Sequence, residues 1–370
     1  MEAMSGRKTA RRKFLLAAGT GVAAVAMPQV SRAQTVSWRF QSSWAQKEIF
    51  HEFAVDYARK VGDMTGGRLT LEVLTTGTVV PAFQLQDAVH GGILSGGHGT
   101  TVNWYRKHKA AALFGSPPPF GWDSHSMVAW FYRGGGEALY KELINVLLKL
   151  NVVGLPYFPM PTQPLGWFKK EIKSPEEFKG LKYRTVGIAA DLFKDLGADV
   201  SVLTGRDIAR AMDRDLIDGA EINNPSSDLA AGLPDVAKFY MLGSYHRQVE
   251  VFEIIFNKTK HDALPAEMKS ILRHAALASS TDQLGMAYER YPKDLEEIKK
   301  RGVSVVQTNE SVLNEQLAAW DRLIATYSKE PFFAKVIASQ KAWVKRTQPY
   351  LQANNLGSAV LASAYKHFFA

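Results

Sequence analysis

Cysteine is absent from the 370-residue chain. That absence excludes disulfide staples, thiolate nucleophiles and zinc–thiolate centres. A chain of this length can bury a large core without staples, so an oxidising compartment remains compatible with it. Beyond the N-terminal region no apolar stretch approaches the roughly 20 residues that a bilayer span requires. No G-x-S-x-G elbow occurs, which argues against an α/β-hydrolase. His90 and His98 have no paired acid at metal-ligand spacing, so no zinc pattern is present. The run Gly91-Gly92-Ile93-Leu94-Ser95-Gly96-Gly97-His98-Gly99 has the composition of a phosphate loop, but it lacks the G-x-G-x-x-G order and the G-K-[ST] ending. We read it as a strand-to-turn whose glycines let backbone approach a ligand. Net charge is also low once the N-terminus is set aside. The formal charge is +9, but the first 33 residues hold six basic side chains (Arg7, Lys8, Arg11, Arg12, Lys13, Arg32) and one acid (Glu2), a net +5, which leaves +4. So mild an excess does not argue for a nucleic-acid partner.

What the chain does have begins with a leader. Arg11-Arg12-Lys13-Phe14-Leu15 precedes an apolar, Gly/Ala-rich stretch from Leu16 to Met27, and Ser31-Arg32-Ala33 is a small-x-small cleavage pattern. Residues 1–33 read as a secretory signal peptide, and the paired arginines suggest the twin-arginine route. The apolar run is too short and too rich in glycine for a membrane anchor. Export to the periplasm is the expectation.

The body alternates between the two hydrophobic periods. Val36, Trp38 and Phe40 alternate with polar residues, and Ile49, Phe50, Phe53, Tyr57 and Val61 fall at helical spacing. Leu69, Leu71 and Val73 alternate again after Gly66-Gly67, which completes a β-α-β opening. A short helix is expected from Pro81 to Val89. Further units follow at Val152 to Phe158, Gly166 to Lys169, Leu181 to Val186, Ala189 to Leu196, Arg206 to Arg214 and Val249 to Asn257. From Pro265 nearly everything reads as helix, apart from a strand at Val303 to Gln307. Such alternation implies an α/β fold with helix-covered sheets, and the length favours two domains. The expected division is residues 34–162 with 252–305 as one domain and 163–251 as the other. Residues 306–370 would form helices that brace both domains or a partner subunit.

Candidate site residues come from separate segments. Arg184 ends a short strand, where its planar fork can hold a carboxylate bidentately. Gln163 stands in an extended crossover held by Pro161 and Pro164. Glu221 follows a helix and is flanked by amides in Asp218-Gly219-Ala220-Glu221-Ile222-Asn223-Asn224-Pro225, and Gln248 ends Tyr245-His246-Arg247-Gln248. Each has a plain structural reading as well. Arg184 can be a surface ion-pair partner, Glu221 a helix cap, Asn223 and Asn224 turn residues, and the glutamines partners of the backbone.

The segment PLGWFKK…IKSPEEFKGLKYRT resembles the solute receptors of TRAP transporters, and the resemblance extends from about Val36 to about Ala325. It is greatest to members that bind 2-oxo or 2-hydroxy acids. The resemblance implies a periplasmic-binding-protein-like fold, with two α/β domains flanking a ligand cleft and a long helical C-terminal region. It implies that Arg184 clamps the ligand carboxylate. It further implies that Gln163, Glu221, Gln248 and the backbone carbonyl of Ile222 give oxygens to a cation that also binds the ligand. An all-oxygen shell suits Na⁺ or Ca²⁺, with no organic cofactor. Two positions depart from the small-2-oxoacid receptors: Ile222 stands where they have a tryptophan, and Asn103 where they have an aromatic. Smaller walls imply a bulkier monocarboxylate, branched or aromatic, in contact with Asn103, Ile222 and Asn223. The partners implied are a small carboxylate, TRAP permease subunits and, through the C-terminal helices, a second copy of the chain. An exported metal-assisted lyase acting on 2-oxoacids is the alternative, with His246 as its only candidate base; a sensor without transport is a third reading.

Overall fold

The computed structural model describes residues 35–354 and 357–369, and the expected leader lies outside them. The opening β-α-β unit forms as its periodicity dictates. Strand β1 (Val36–Ser42) pairs in parallel with β2 (Leu69–Leu74), and helix α1 (Ile49–Met64) lies between them in sequence. Glu48 caps α1 by accepting from the Phe50 N–H at 3.0 Å, and the helix buries Phe50, Phe53, Tyr57 and Val61. Helix α2 (Leu85–His90) then leads to β3 (Gly96–Gly99), which pairs with the other side of β1. Helices α3 (Ser124–Arg133) and α4 (Gly136–Lys141) precede β4 (Val152–Met160).

The chain next crosses to a second sheet. It runs through β5 (Gly166–Phe168), β6 (Lys182–Arg184), α5 (Ile188–Asp195), β7 (Asp199–Ser201), α6 (Gly205–Asp213), β8 (Gly219–Ala220), α7 (Pro225–Ala230), α8 (Leu233–Val236) and β9 (Phe239–Leu242). It returns to the first sheet as β10 (Glu250–Asn257), which is antiparallel to both β3 and β4. With a last strand, β11 (Ser304–Gln307), the strand orders are β2-β1-β3-β10-β4 and β11-β9-β5-β8-β6-β7. The structure is therefore the expected α/β architecture of two sheets.

One expectation is corrected. The strand near Val303, assigned above to the first domain, is β11 (Ser304–Gln307), and it pairs in parallel with β9 at the edge of the second sheet. After α9 (Lys258–Asp262), the helix that carries the chain there is α10 (Ala266–Lys300), 35 residues and roughly 52 Å long. Its Leu272, Ala275 and Ala276 pack with Phe40 and Tyr57 under the first sheet, while Ile298 packs with Trp167 and Tyr240 under the second. The tail adds α11 (Glu310–Tyr327), α12 (Pro331–Asn354) and α13 (Ser358–Phe369). Helix α11 packs on α5, which follows β6 of the second sheet, and α12 packs on α4 and on residues 109–114, which precede β4 of the first. Trp320, Phe332 and Phe333 thereby join a core that also holds Trp130 and Tyr183.

The glycine run has a different use from the one expected. Gly97 lies in β3 between β1 and β10, and a Cβ there would stand 2.7 Å from Leu85 Cδ1 and 2.9 Å from the Gln41 carbonyl. Glycine lets α2 and the flanking strands close on β3; it does not open backbone to a ligand.

Candidate functional site

Parallel pairing brings the two charged candidates together. Arg184 pairs with Ala220 across β6 and β8, so Glu221 emerges beside it at the same strand ends. Arg184 is only 5% exposed and Glu221 is fully buried. Arg184 Nη1 donates to the Glu221 carbonyl at 2.6 Å and reaches its Oε1 at 3.3 Å, while Nε and Nη2 both donate to the Leu203 carbonyl, at 2.9 and 2.6 Å.

Gln163 arrives through the crossover between β4 and β5. Its backbone N–H donates to the Arg247 carbonyl at 3.1 Å, and Thr162 Oγ1 donates to the Gln248 carbonyl at 3.2 Å, which stitches together the two chain segments that pass between the sheets. The buried Gln163 amide Nε2 donates to both Glu221 Oε2 and the Ile222 carbonyl. Its Oε1 has no partner among the described residues. Gln163, Glu221 and the Ile222 carbonyl thus converge on one point, as the resemblance implies. A terminal amide can be turned end for end in the same space. Turned that way, Gln163 Oε1 would face two other oxygens, an arrangement that a hard cation satisfies and that otherwise repels. The donor set fits Na⁺ or Ca²⁺. Among the described residues no group of three His, Cys, Asp or Glu side chains converges, so a softer, nitrogen- or sulfur-rich metal centre finds no ligands there.

Gln248 is not brought to this point. It lines a separate cavity of about 250 Å³ with Asp123, His125, Thr162 and Tyr288. Its neighbour Arg247 enters the site instead. Arg247 is 3% exposed, pairs with Glu250 Oε2 at 3.2 Å, donates to the Val186 carbonyl at 2.7 Å and stands 3.7 Å from Glu221 Oε1. Burial alone would raise the Glu221 carboxyl, but Arg247 and Arg184 outweigh it and hold the group below the usual carboxylate range. Glu250 is displaced the other way: burial raises it, and Glu221 adds to that, against Arg247.

Arg184, Arg247 and Glu250 line a cleft of about 790 Å³ between the sheets, while Gln163 and Glu221 are fully buried behind its lining. Trp44, Phe83, Val186, Ile222 and Phe252 supply apolar walls, and Thr100, Asn103 and Asn223 supply polar ones. Asn103 and Asn223 therefore both line the cleft. Asn224 does not; it caps α7, its side chain accepting from Ser227 N at 3.0 Å. Trp104 is core as well, with its indole N–H given to Glu253.

A model of bacterial extracellular solute-binding proteins, family 7, matches residues 40–330. The chain belongs to that family. A monocarboxylate 2-oxoacid-binding periplasmic protein of Nostoc sp. is 30% identical over 365 residues, which cover 96% of this chain and 99% of the relative. A TRAP periplasmic solute-binding protein of Pseudoalteromonas atlantica, solved with sodium and pyruvate, superposes with a TM-score of 0.81 at 26% identity, covering 91% of this chain and 100% of that one. Another from Bordetella bronchiseptica, a mixed-occupancy dimer with copurified calcium and picolinate, gives a TM-score of 0.80 at 25% identity, covering 90% of this chain and 99% of that one. Family members are solute receptors and not enzymes.

His246, the one candidate base, is fully buried against Phe193, shares its Nδ1 with Ser244 Oγ at 2.6 Å, and is pushed down to about 3 by burial. Sequence reasoning missed Arg247 and Glu250. Arg247 adjoins Gln248 in the chain, and nothing in the residue types shows which of two neighbours in a turn faces the cleft.

Proposed function

We propose that this receptor binds a 2-oxo or 2-hydroxy monocarboxylate together with Na⁺ or Ca²⁺ in the periplasm and delivers it to a TRAP membrane permease. The observation that carries the reading is the buried set of Arg184, Glu221, Gln163 and the Ile222 carbonyl, of which Arg184 and Ile222 line a largely apolar cleft. Charge accounting supports the cation. Arg184 and Arg247 are already paired with Glu221 and Glu250. A ligand carboxylate adds one buried negative charge, which is costly unless something positive comes with it. Gln163, Glu221 and the Ile222 carbonyl would hold that ion. When bound, it supplies the missing charge and an electrophilic contact for the ligand's 2-oxygen.

The walls support a branched or aromatic side chain on the acid. Ile222 leaves room beside the carboxylate, and Trp44, Phe83 and Phe252 offer apolar surface farther out. The periplasmic setting rests on the expected leader and on the Nostoc relative. The test is thermal unfolding against a panel of 2-oxo and 2-hydroxy acids, with Na⁺, Ca²⁺ or chelator. An acid at about a hundredfold over its Kd stabilises by about 2.7 kcal/mol, a shift of a few degrees. Phenylpyruvate or a branched 2-oxoacid should shift the midpoint more than pyruvate, and chelator or sodium removal should reduce the shift. Tighter binding of pyruvate than of every bulkier acid would reject the side-chain assignment. No shift with any acid, repeated after denaturation and refolding to strip carried ligand, would reject the ligand class.

A further inference from the structure

Glu48 bonds to both sides of the cleft. As the cap of α1 it accepts from the Phe50 N–H through Oε2, which fixes it to the first sheet's opening unit. Its Oε1 bonds to Ser227 Oγ of α7, the helix that follows β8 of the second sheet. Both residues line the cleft, Glu48 half-buried and Ser227 buried. Ser227 is held in turn by Asn224: its Oγ accepts from Asn224 Nδ2 at 2.9 Å, and its N–H donates to Asn224 Oδ1 at 3.0 Å. One hydrogen bond therefore joins two capped helix ends across the cleft.

The surroundings of that bond disfavour a charge on Glu48. The charged groups that act on it are acids, Asp228 of α7 and Glu52 of α1. Arg290 of α10 is engaged by Glu52 at 2.8 Å, and the neighbouring Tyr291 presents a buried phenol. Asp228 is occupied on its own side of the cleft, by the Trp167 indole at 2.8 Å and the Asn223 N–H at 3.2 Å. Burial is the chief cause that carries the Glu48 carboxyl up to about 8. Protonated, it can donate from Oε1 to Ser227 while Oε2 still accepts from Phe50. Opening the cleft would part α1 from α7 and return Glu48 to water, with its ordinary value of 4.5.

We propose that Glu48 and Ser227 form a proton-coupled clasp that holds the cleft shut on its ligand, so that closure takes up a proton and rising pH favours release. Glu48 is a positioning residue in this scheme, which rests on the carboxylate-receptor reading above: it acts through α7 and not on the acid. The closed form holds the proton more tightly than the open one. The clasp's contribution to affinity is therefore complete below about pH 4.5 and lost as pH rises through about 8. Glu250 also lines the cleft and is raised by burial, so a variant is needed to assign the slope to Glu48.

Calorimetric titration of the mature chain with pyruvate and phenylpyruvate, from about pH 5.5 to about pH 8.5 in two buffers of different ionisation enthalpy, gives both affinity and protons taken up. Wild type should take up as much as about one proton near neutral pH, and its affinity should fall by as much as about tenfold per pH unit. Glu48→Gln keeps an oxygen for Phe50 and an N–H for Ser227, and should lose most of the slope and of the proton uptake. Ser227→Ala should weaken both acids alike by roughly fivefold at the acid end, the equivalent of one hydrogen bond. A ligand-free measurement runs beside these. The chain has no cysteine, so Thr70→Cys and Asp199→Cys, exposed on strands of the two sheets, can carry spin labels. Their separation should lengthen as pH rises, and should stay constant when Glu48→Gln is added. A wild-type affinity that is flat in pH, or a folded Glu48→Gln variant with the wild-type slope and uptake, overturns the clasp. A wild type that binds neither acid overturns the carboxylate reading instead, and a label separation that ignores pH then rejects the clasp on its own.

Discussion

Glu221 is stable as a buried anion because two guanidinium groups converge on one of its oxygens and an amide on the other. That arrangement makes single residues around the cleft sensitive in predictable ways. Gly187, three residues beyond Arg184, holds φ +66° and ψ −143°, a combination that side chains with a Cβ rarely adopt. A Cβ there would also run into Val102 Cγ1, which belongs to the turn that carries Asn103. Gly187→Ala should therefore lower stability by about 1–3 kcal/mol in urea unfolding and weaken acid binding, because backbone strain and a collision across the cleft act together. Adding Val102→Ala should restore the binding share and leave the backbone share lost. If the single variant binds acid at full strength, contact between Gly187 and Val102 is not part of the liganded state.

Among the elements, β10 does more than its hydrophobic sequence suggests. Every residue from Glu250 to Asn257 is buried, and two of them are acids. Glu253 accepts from Tyr140 Oη at 2.6 Å and from the Trp104 indole, and so ties the strand to the turn that carries Asn103. Burial pushes its carboxyl from the ordinary 4.5 up to about 7, against those two hydrogen bonds. A carboxyl that holds its proton more tightly when folded contributes stability fully below its unfolded value, and that contribution is lost as pH rises through the folded value. His98 and His246, both pushed down to about 3 by burial, oppose this by adding stability up to about pH 6.5, so the unfolding midpoint should fall between about pH 6.5 and about pH 8, where Glu48, raised to about 8 by burial, extends the decline. Glu253→Gln should flatten the lower part of that curve; a decline parallel to wild type would show that Glu253 is not its source. These roles explain what was legible at this scale. The alternation of Val36, Trp38 and Phe40 and the spacing of Phe50, Phe53 and Tyr57 announced β1 and α1, since one-sided burial imposes a period. In β10 both faces are covered, no period survives, and two acids inside an apolar run carried no sign of the Tyr140 and Trp104 side chains that would meet them.

At the scale of the molecule, α10 and the tail connect the two sheets. One continuous helix packs under both sheets, α11 packs on α5 and α12 packs on α4. Leu361, Tyr365, Phe368 and Phe369 of α13 are exposed, which is the surface we propose that a second copy covers. Light scattering of the mature chain should report a dimer, and removal of residues 355–370 should give a monomer; a monomeric full-length chain would reject the pairing. Among the described residues no helix is long and apolar enough to cross a membrane. The sequence by itself determined the α/β alternation, the helical tail and the family, because hydrophobic period and local motifs are properties of contiguous residues. It also placed Arg184, Glu221 and Gln163 together, through the resemblance. Tertiary structure alone decided that β11 joins the second sheet, that Gly97 serves packing, and that Arg247 and not Gln248 faces the cleft. Those outcomes depend on pairing and side-chain direction between segments far apart in the chain, and neither is encoded in the spacing of neighbours.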